Sequence, residues 1–172
     1  MTSVLKVDTI QNSTGTDALS IDGSGNVEAQ GLLTSRGLSY IPSFSARGAG
    51  GGVSATTKAP YSGSETGVTH NIGNHYNYTD KEFTCPVAGL YLFTMTAFSN
   101  NSAAGSMRLS VNDNYTENYP TLQAPSGASI AYTMLSISAV LNLEADDTVQ
   151  AYVKSGSIYF DVDCWFTGVL IG

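Results

Sequence analysis

Charged side chains are scarce in this sequence, and most of the few present are acidic. The 172 residues include 7 Lys and Arg against 14 Asp and Glu, which gives a formal net charge of −7. Proteins that bind nucleic acid or anionic membranes usually present a basic patch, and this composition provides none. No apolar run approaches the roughly 18 residues of a transmembrane helix. We therefore expect neither a nucleic-acid partner nor membrane insertion.

Cysteine is also scarce, and the N-terminus lacks the basic start and long apolar core of a secretory signal. We therefore expect the chain to be made and folded in a cytoplasm. Its two cysteines, Cys85 and Cys164, have no histidine at ligand spacing, which excludes a zinc site of the usual kind. Each shares strand parity with an aromatic neighbour, Phe83 or Phe166 respectively, so both are predicted to be buried. In that compartment two free thiols are favoured over a disulfide.

The usual catalytic motifs are missing. Neither G-x-S-x-G nor H-E-x-x-H occurs, and His70 and His75 lie in a polar segment without a positioned nucleophile and acid. Residues 47–69 are rich in Gly, Ser and Thr and are interpreted as a loop, but no Gly-Lys-Ser/Thr follows to make it a phosphate loop. We expect that the protein is not an enzyme.

The most informative stretch runs from Glu82 to Asn100. A short strand is predicted over Glu82–Cys85, Pro86 ends it, and a second strand follows over Leu90–Phe98. Successive side chains of a strand point to opposite faces. One face carries Tyr91, Phe93, Met95 and Ala97, and the other carries Leu90, Leu92, Thr94, Thr96 and Phe98. Neither face is charged, so we expect both to be covered. A second sheet of the same domain can cover one face. The other face can be covered either by another copy of the protein or by the chain's own loops.

A second alternating segment lies near the C-terminus, over Ile158–Phe166. One set of its side chains suits a sandwich core and consists of Ile158, Phe160, Val162, Cys164 and Phe166. The opposite set consists of Tyr159, Asp161, Asp163 and Trp165. Carboxylates held close together must be neutralised, hydrated or bound to a cation. Alternatively, a one-residue bulge would turn both aspartates to solvent.

Residues 1–42 differ in character from the rest and form the first predicted domain. They are short extended pieces separated by turn signals such as Asp22-Gly23. A segment with so few large apolar groups cannot bury a core alone. Its pattern fits an intertwined three-chain β shaft, and its composition fits a flexible tail equally well.

Residues 42–172 resemble the globular domain of complement's first component, which belongs with the tumour-necrosis-factor-type jelly rolls. The resemblance is carried by an ordered set of segments: Pro42–Ala46, Asn74–Asn77, Phe83–Phe93, Leu109–Asp113, Ala139–Val149 and Phe166–Ile171. In the fifth of these, Asp146 stands where the family usually has glycine, so we expect that turn to differ slightly.

This resemblance implies an all-β fold, an antiparallel jelly-roll sandwich over 43–172, that assembles as a homotrimer through its inner sheet. The implied subunit interface consists of Leu90, Leu92, Thr94, Tyr159 and Trp165. The back of the inner sheet faces the threefold axis in that family, so Asp161 and Asp163 would form carboxylate rings near it. Hard oxygen ligands there would favour calcium, and no other cofactor is expected.

The N-terminal segment resembles that of fibre proteins from tailed phages of marine cyanobacteria, on Ser3–Asn12 and Ala18–Val27. This implies a virion protein, assembled in the host cytoplasm, whose residues Val4, Leu5, Val7 and Ile10 anchor it to other virion proteins. The predicted function is a short trimeric fibre, on tail or head, that adheres to a host-surface glycan or protein. The candidate ligand loop carries Tyr115, Asn118 and Tyr119, because aromatic and amide groups suit such recognition. These tyrosines could equally pack on their own domain.

Two alternatives to a fibre stay open at this point. One is a particle decoration or adaptor protein that binds no receptor. The other is a cellular, complement-like binding module with no virion role.

Overall fold

The computed structural model of this chain is nearly all β, as predicted, with fifteen strands and one 3₁₀ turn among the described residues. It describes residues 7–11, 14–15, 17–25, 27–29, 40–61, 65–99, 105–115, 121–123 and 133–172. The chain divides into two compact units, Met1–Tyr40 and Ile41–Gly172. None of the elements that these residues form is an apolar helix long enough to span a bilayer.

The first unit contains a small antiparallel sheet of strands β1 (Thr9–Gln11), β2 (Asp17–Ile21) and β3 (Val27–Ala29), in that spatial order. The turn between β2 and β3 confirms the Asp22-Gly23 signal. Gly25 N donates to the Asp22 carbonyl oxygen at 2.9 Å, and Ser24 N donates to Asp22 Oδ1 at 2.9 Å. Side chains that accept from the backbone two residues on are typical of such turns.

The second unit is a sandwich of two antiparallel sheets joined through one long strand. Its elements are β4 (Ser43–Arg47), β5 (Gly51–Ser54), β6 (Thr57–Lys58), the 3₁₀ turn (Glu65–Gly67), β7 (Val68–Ile72), β8 (Tyr76–Asn77), β9 (Glu82–Thr84), β10 (Gly89–Ser99), β11 (Gly105–Val111), β12 (Thr121–Gln123), β13 (Met134–Leu143), β14 (Thr148–Phe160) and β15 (Trp165–Leu170). The first sheet has the order β13-β10-β15-β4-β7, and the second pairs β12, β11 and β14 with β9 and β8.

The core lies between the two sheets and is built from aromatic side chains. All odd-numbered side chains of β10 from Tyr91 to Ala97 are fully buried there. Phe44 of β4 stacks on Tyr76 with ring centroids 4.4 Å apart and meets Phe166 edge-on at 4.9 Å. Both cysteines are buried in this unit as free thiols, as predicted.

The interpretation of residues 47–69 as a loop is wrong. They contain β5, β6 and the start of β7, and β5 and β6 both pair with β14. The pairing partner is about a hundred residues away in sequence, so local composition carries no sign of it. Gly48 permits this packing, because a Cβ there would overlap the backbone carbonyl oxygen of Asp161.

The prediction of one continuous strand over Ile158–Phe166 is also wrong. Strand β14 ends at Phe160, a turn occupies residues 161–164, and β15 begins at Trp165. Cys164 N donates to the Asp161 carbonyl oxygen at 2.9 Å and closes the turn. Because four residues are inserted, Phe160 and Phe166 keep the same parity and both point into the core. Val162 does not, and is 49% exposed.

Candidate functional site

On the side of the first sheet that points away from the core, strands β13, β10 and β15 form an uncharged surface, here called the β10 face, with Arg47 of β4 beside Trp165 at its edge. It consists of the even-numbered residues of β10 and their neighbours on β13, β15 and β14. Every residue of strands β10, β13 and β15 is uncharged. An extended surface of this kind is unusual for a lone soluble domain and typical of an interaction site.

Strand register arranges the β10 face in cross-strand rows. Leu92 lies between Val140 of β13 and Val169 of β15, forming an apolar row. The next row carries hydroxyl groups, because Thr94 lies between Ser138 and Thr167. Directly opposite side chains are the closest contacts across a sheet, so each row acts as a unit.

The end of the β10 face is aromatic. Phe98 lies between Met134 of β13 and Tyr159 of β14. Trp165 is the neighbour of the buried Phe166, so it points outward, and its backbone N donates to Thr96 Oγ1 at 2.7 Å. The structure therefore brings the five interface residues predicted from the sequence onto one face of one sheet.

Three hydroxyl groups on the β10 face, those of Thr94, Ser138 and Thr96, are hydrogen-bonded within the chain. Thr94 Oγ1 and Ser138 Oγ are 2.7 Å apart, and Thr96 Oγ1 accepts from the Trp165 backbone N. Burying an unpaired hydroxyl is costly, whereas a paired one can lose water at little cost. The β10 face can therefore be dehydrated without leaving these hydroxyls unsatisfied.

Large apolar side chains on the β10 face stay in contact with solvent in the single chain. Leu90 is 42% exposed, Met134 48% and Val140 53%. The alternative that the chain's own loops cover this face is therefore not met at these three positions. Met134, Val140 and Val169 also lie on this face but were not among the predicted interface residues, although the uncharged alternation of 134–143 carries the same signal as β10.

Comparison with known proteins identifies the fold to which this face belongs. Residues 54–171 match the family model of the C1q domain. The chain belongs to the C1q domain family. Among solved structures, the globular domain of zebrafish complement 1qA protein matches with 21% identity and a TM-score of 0.58, covering 77% of this chain and 98% of that chain.

Two tumour-necrosis-factor-type structures share the architecture of this C1q domain. Eiger TNF from S. frugiperda is 12% identical with a TM-score of 0.57, and covers 77% of this chain and 93% of its own. Murine APRIL is 12% identical with a TM-score of 0.57, and covers 77% of this chain and 100% of its own. At these identities the likeness establishes the fold, which confirms the predicted jelly roll.

Tyr115, which was predicted to lie in a ligand loop, packs on the second sheet of the C1q domain. Its ring stacks on Tyr152 with centroids 4.0 Å apart, and its hydroxyl donates to Asp113 Oδ1 at 2.6 Å. Gln150 Nε2 donates to the same oxygen at 2.6 Å. Hydrogen bonds from Tyr115 and Gln150 lower the pKa of Asp113. Asn118 and Tyr119 lie outside the described residues.

Asp161 and Asp163, the predicted calcium ligands, lie in the turn between β14 and β15 rather than on a strand face. Asp161 Oδ1 accepts from the Val162 backbone N at 2.7 Å. Within the described part of one chain, no group of three His, Cys, Asp or Glu side chains could hold a metal ion. A calcium site would therefore need carboxylates from several chains, and it stays a prediction.

Of the predicted anchoring residues, Val4 and Leu5 lie outside the described residues. Ile10 is on β1 and 49% exposed, and Val7 precedes that strand and is also exposed. Ile21 on β2 adds a third exposed apolar side chain to the same small unit. A unit of this size leaves its apolar groups in water unless a partner covers them.

Proposed function

We propose that this protein is a structural virion protein of a tailed phage, a short homotrimeric fibre on the tail or head. Its N-terminal unit binds other virion proteins, and its C1q domain adheres to the host surface. The observation that carries the proposal is the β10 face, which is uncharged, has internally hydrogen-bonded hydroxyls at Thr94, Ser138 and Thr96, and is partly exposed to solvent in one chain. Its proposed role is to assemble with other virion proteins and to bind the host surface, and not to catalyse a reaction.

Trimer formation covers the β10 face. Burying the parts of Leu90, Leu92 and Trp165 that are still exposed in one chain contributes on the order of 2–4 kcal/mol per subunit before entropy costs. Closed cyclic symmetry lets each chain present the same surfaces to its neighbours, so no apolar face is left over. A trimer also presents three copies of each binding loop, and weak contacts with a repetitive surface then combine into avidity.

Attachment to the particle is assigned to the first unit. Val7, Ile10 and Ile21 are exposed apolar groups on or beside its strands, and the sequence of this unit resembles phage fibre N-termini. We expect residues 1–30 to be needed for incorporation into particles and not for assembly of the C1q domain.

Two measurements on the full chain test the proposal. Light scattering after size exclusion should give about 54 kDa, three times the 18.0 kDa of one chain. Immunogold electron microscopy should place the protein on phage particles, and deletion of residues 1–30 should release a trimer from them. A stable single subunit at micromolar concentration would contradict the assembly.

Competition with phage for host cells separates the fibre from the two other candidate roles. Purified trimers of a fibre should block adsorption, whereas a decoration or adaptor protein would be on particles without blocking it. A cellular binding module would not be found on particles at all.

The axial calcium site has its own test. If Asp161 and Asp163 from three chains hold calcium, EDTA should lower the melting temperature of the trimer and added calcium should restore it. If the melting temperature changes with neither EDTA nor calcium, the calcium site is excluded, whereas the trimer is not.

A further inference from the structure

A cavity of about 460 Å³ opens at the edge of the first sheet, where the end of β7 meets the turn into β8. This volume is within the range of about 300–1,000 Å³ that is typical of small-molecule sites. The cavity is lined by Val68, Asn71, Asn74, Tyr76, Asn77 and Tyr78. These six described lining residues are all uncharged, and five of them carry an amide or a phenol group.

Two of the asparagines build the frame of this cavity. Asn71 Nδ2 donates to the Tyr76 carbonyl oxygen at 2.9 Å, and Asn71 Oδ1 accepts from Tyr76 N at 3.1 Å. Asn77 Oδ1 accepts from the backbone N of Thr79 and Asp80 at 2.9 and 3.2 Å. The first pair of bonds holds β7 to β8, and the second fixes the turn that carries Tyr78. The walls are therefore formed before any ligand arrives.

Tyr76 gives the cavity a rigid base. It is buried, its ring stacks on Phe44, and its hydroxyl donates to the Tyr61 carbonyl oxygen at 2.8 Å. Burial raises the pKa of Tyr76 well above its usual value. Its hydroxyl thus stays protonated and engaged with the core, so it is not the group that meets a ligand.

Two other side chains have their polar groups available. Neither the Asn74 amide nor the Tyr78 hydroxyl forms a hydrogen bond with any described part of the chain, and Tyr78 as a whole residue is 36% exposed. An amide offers a donor and an acceptor side by side, and a phenol ring offers an apolar face with a polar tip. Asn74 is held in the left-handed region at φ +59°, next to Gly73 at +85°.

We propose that this cavity binds a neutral pyranose unit of a surface glycan. A sugar ring presents an apolar face of C–H groups, which fits against Tyr78, and adjacent hydroxyls, which can both accept from and donate to the Asn74 amide. The absence of charge among the lining residues that the structure describes, together with the net charge of −7, disfavours acidic sugars. The cavity gives the proposed adhesion a site and a ligand class, so this inference rests on that proposal.

Saturation-transfer NMR on the full-length protein tests this assignment. The probes are glucose, galactose, mannose and N-acetylglucosamine, with glucuronate as the acidic comparison. We expect at least one neutral sugar to bind, and glucuronate not to. No signal from the four neutral probes, or binding of glucuronate alone, would overturn the proposal.

Two substitutions locate the bound sugar. Asn74→Gly removes the amide and keeps the positive φ, because glycine adopts it freely. Tyr78→Ala removes the ring at a partly exposed position. Each should weaken binding about tenfold, the order expected for losing one well-placed polar or stacking contact. Tyr115→Ala, in the candidate ligand loop predicted from the sequence, is the matched control and should leave binding unchanged.

The outcomes separate this site from the fibre assignment. Binding that survives both cavity substitutions, or is lost only in Tyr115→Ala, would overturn the site. A change of assembled mass in Asn74→Gly would show that the cavity is a subunit contact and would overturn it too. Absence of sugar binding by trimers that remain on particles would end this inference and leave the fibre intact.

Discussion

At the residue scale, Asp146 occupies a turn position where the family usually has glycine. Its backbone is left-handed at φ +68°, and its N–H donates to the Cys85 carbonyl oxygen at 2.8 Å. The turn thus keeps the left-handed backbone for which glycine is best suited, and aspartate tolerates it better than most residues. Asp146→Gly should raise the free energy of unfolding by about 0.5–1 kcal/mol, measured in urea at fixed protein concentration.

Asp146→Ala is the matched control for this turn. Alanine lacks the carboxylate but keeps the Cβ, so it should lower the free energy of unfolding by about 1 kcal/mol. If glycine proves no better than aspartate, the Asp146 side chain stabilises the turn by itself and the conformational account is wrong.

Because its two thiols are buried, the protein's free energy of unfolding should depend on pH in the alkaline range. Burial, with a smaller effect of the Asp147 charge, raises the pKa of Cys85 to about 12 from 9.0, and burial also raises that of Cys164. Above pH 9 the Cys85 thiol is neutral in the folded state but largely ionised in the unfolded state. The unfolded state therefore binds fewer protons than the folded state in this pH range. The free energy of unfolding should therefore fall by about 1 kcal/mol for Cys85 between pH 9 and 10.

Urea unfolding of Cys85→Ala at pH 8, 9 and 10 checks this dependence. The substitution should lower stability at pH 8 by leaving a cavity, and should flatten the decline up to pH 10. Above that pH the buried Tyr61 and Tyr76 hydroxyls add the same sign of effect, because burial raises their pKa values as well. A decline as steep as that of the unsubstituted protein would exclude the thiol.

At the scale of elements, the sequence was informative where one strand carries its own complete signal. Strand β10 was predicted almost to the residue, because Pro86 and Gly89 bound it and its alternation is unbroken. The turn at residues 161–164 was missed because inserting four residues preserves the alternation on both sides. The cavity at Tyr78 was missed because it depends on β7 and the turn after β8 meeting in space, which no local pattern encodes.

Strand β15 can cross the aromatic core only because Gly168 has no side chain. A Cβ at this position would lie 2.5 Å from Phe44 Cε1 and 2.7 Å from Phe93 Cε1. Gly168→Ala should lower the free energy of unfolding by about 1–3 kcal/mol, because an overpacked core must shift its rings.

Gly172→Ala is the matched control for overpacking. Its added Cβ would meet only Leu90 atoms at 3.8 and 3.9 Å, which is ordinary contact. We expect a change within about 0.5 kcal/mol there. Equal effects of the two substitutions in urea unfolding would exclude core crowding at Gly168 as the cause.

At the scale of the whole molecule, the ordered set of short segments predicted the C1q domain although each segment alone is weak. What the chain binds was harder to predict from the sequence. Tyr115, which the sequence allowed either in a ligand loop or packed on its own domain, stacks on Tyr152, and composition alone cannot distinguish a packed ring from a presented one. The β10 face could be predicted from the sequence because both faces of one strand lack charge over a length that is unusual for a solvated sheet.

That face makes the assembly testable with one substitution. Leu92 lies at the centre of an apolar row, half-buried in the single chain, and its side chain points away from the core. In a trimer Leu92→Asp would bury three carboxylates without partners, and each costs several kcal/mol to dehydrate. Light scattering should then report 18.0 kDa instead of about 54 kDa, with the circular dichroism of a folded domain.

Lys154→Asp introduces the same side chain at a position of β14 that is exposed to solvent in the single chain. Its mass should stay at about 54 kDa, because a solvated carboxylate at the surface needs no partner. If Leu92→Asp also stays trimeric, the subunits meet through another surface and the β10 face must be covered by something else. If both variants become single chains, added negative charge on an already acidic protein, and not burial of this face, controls the assembly.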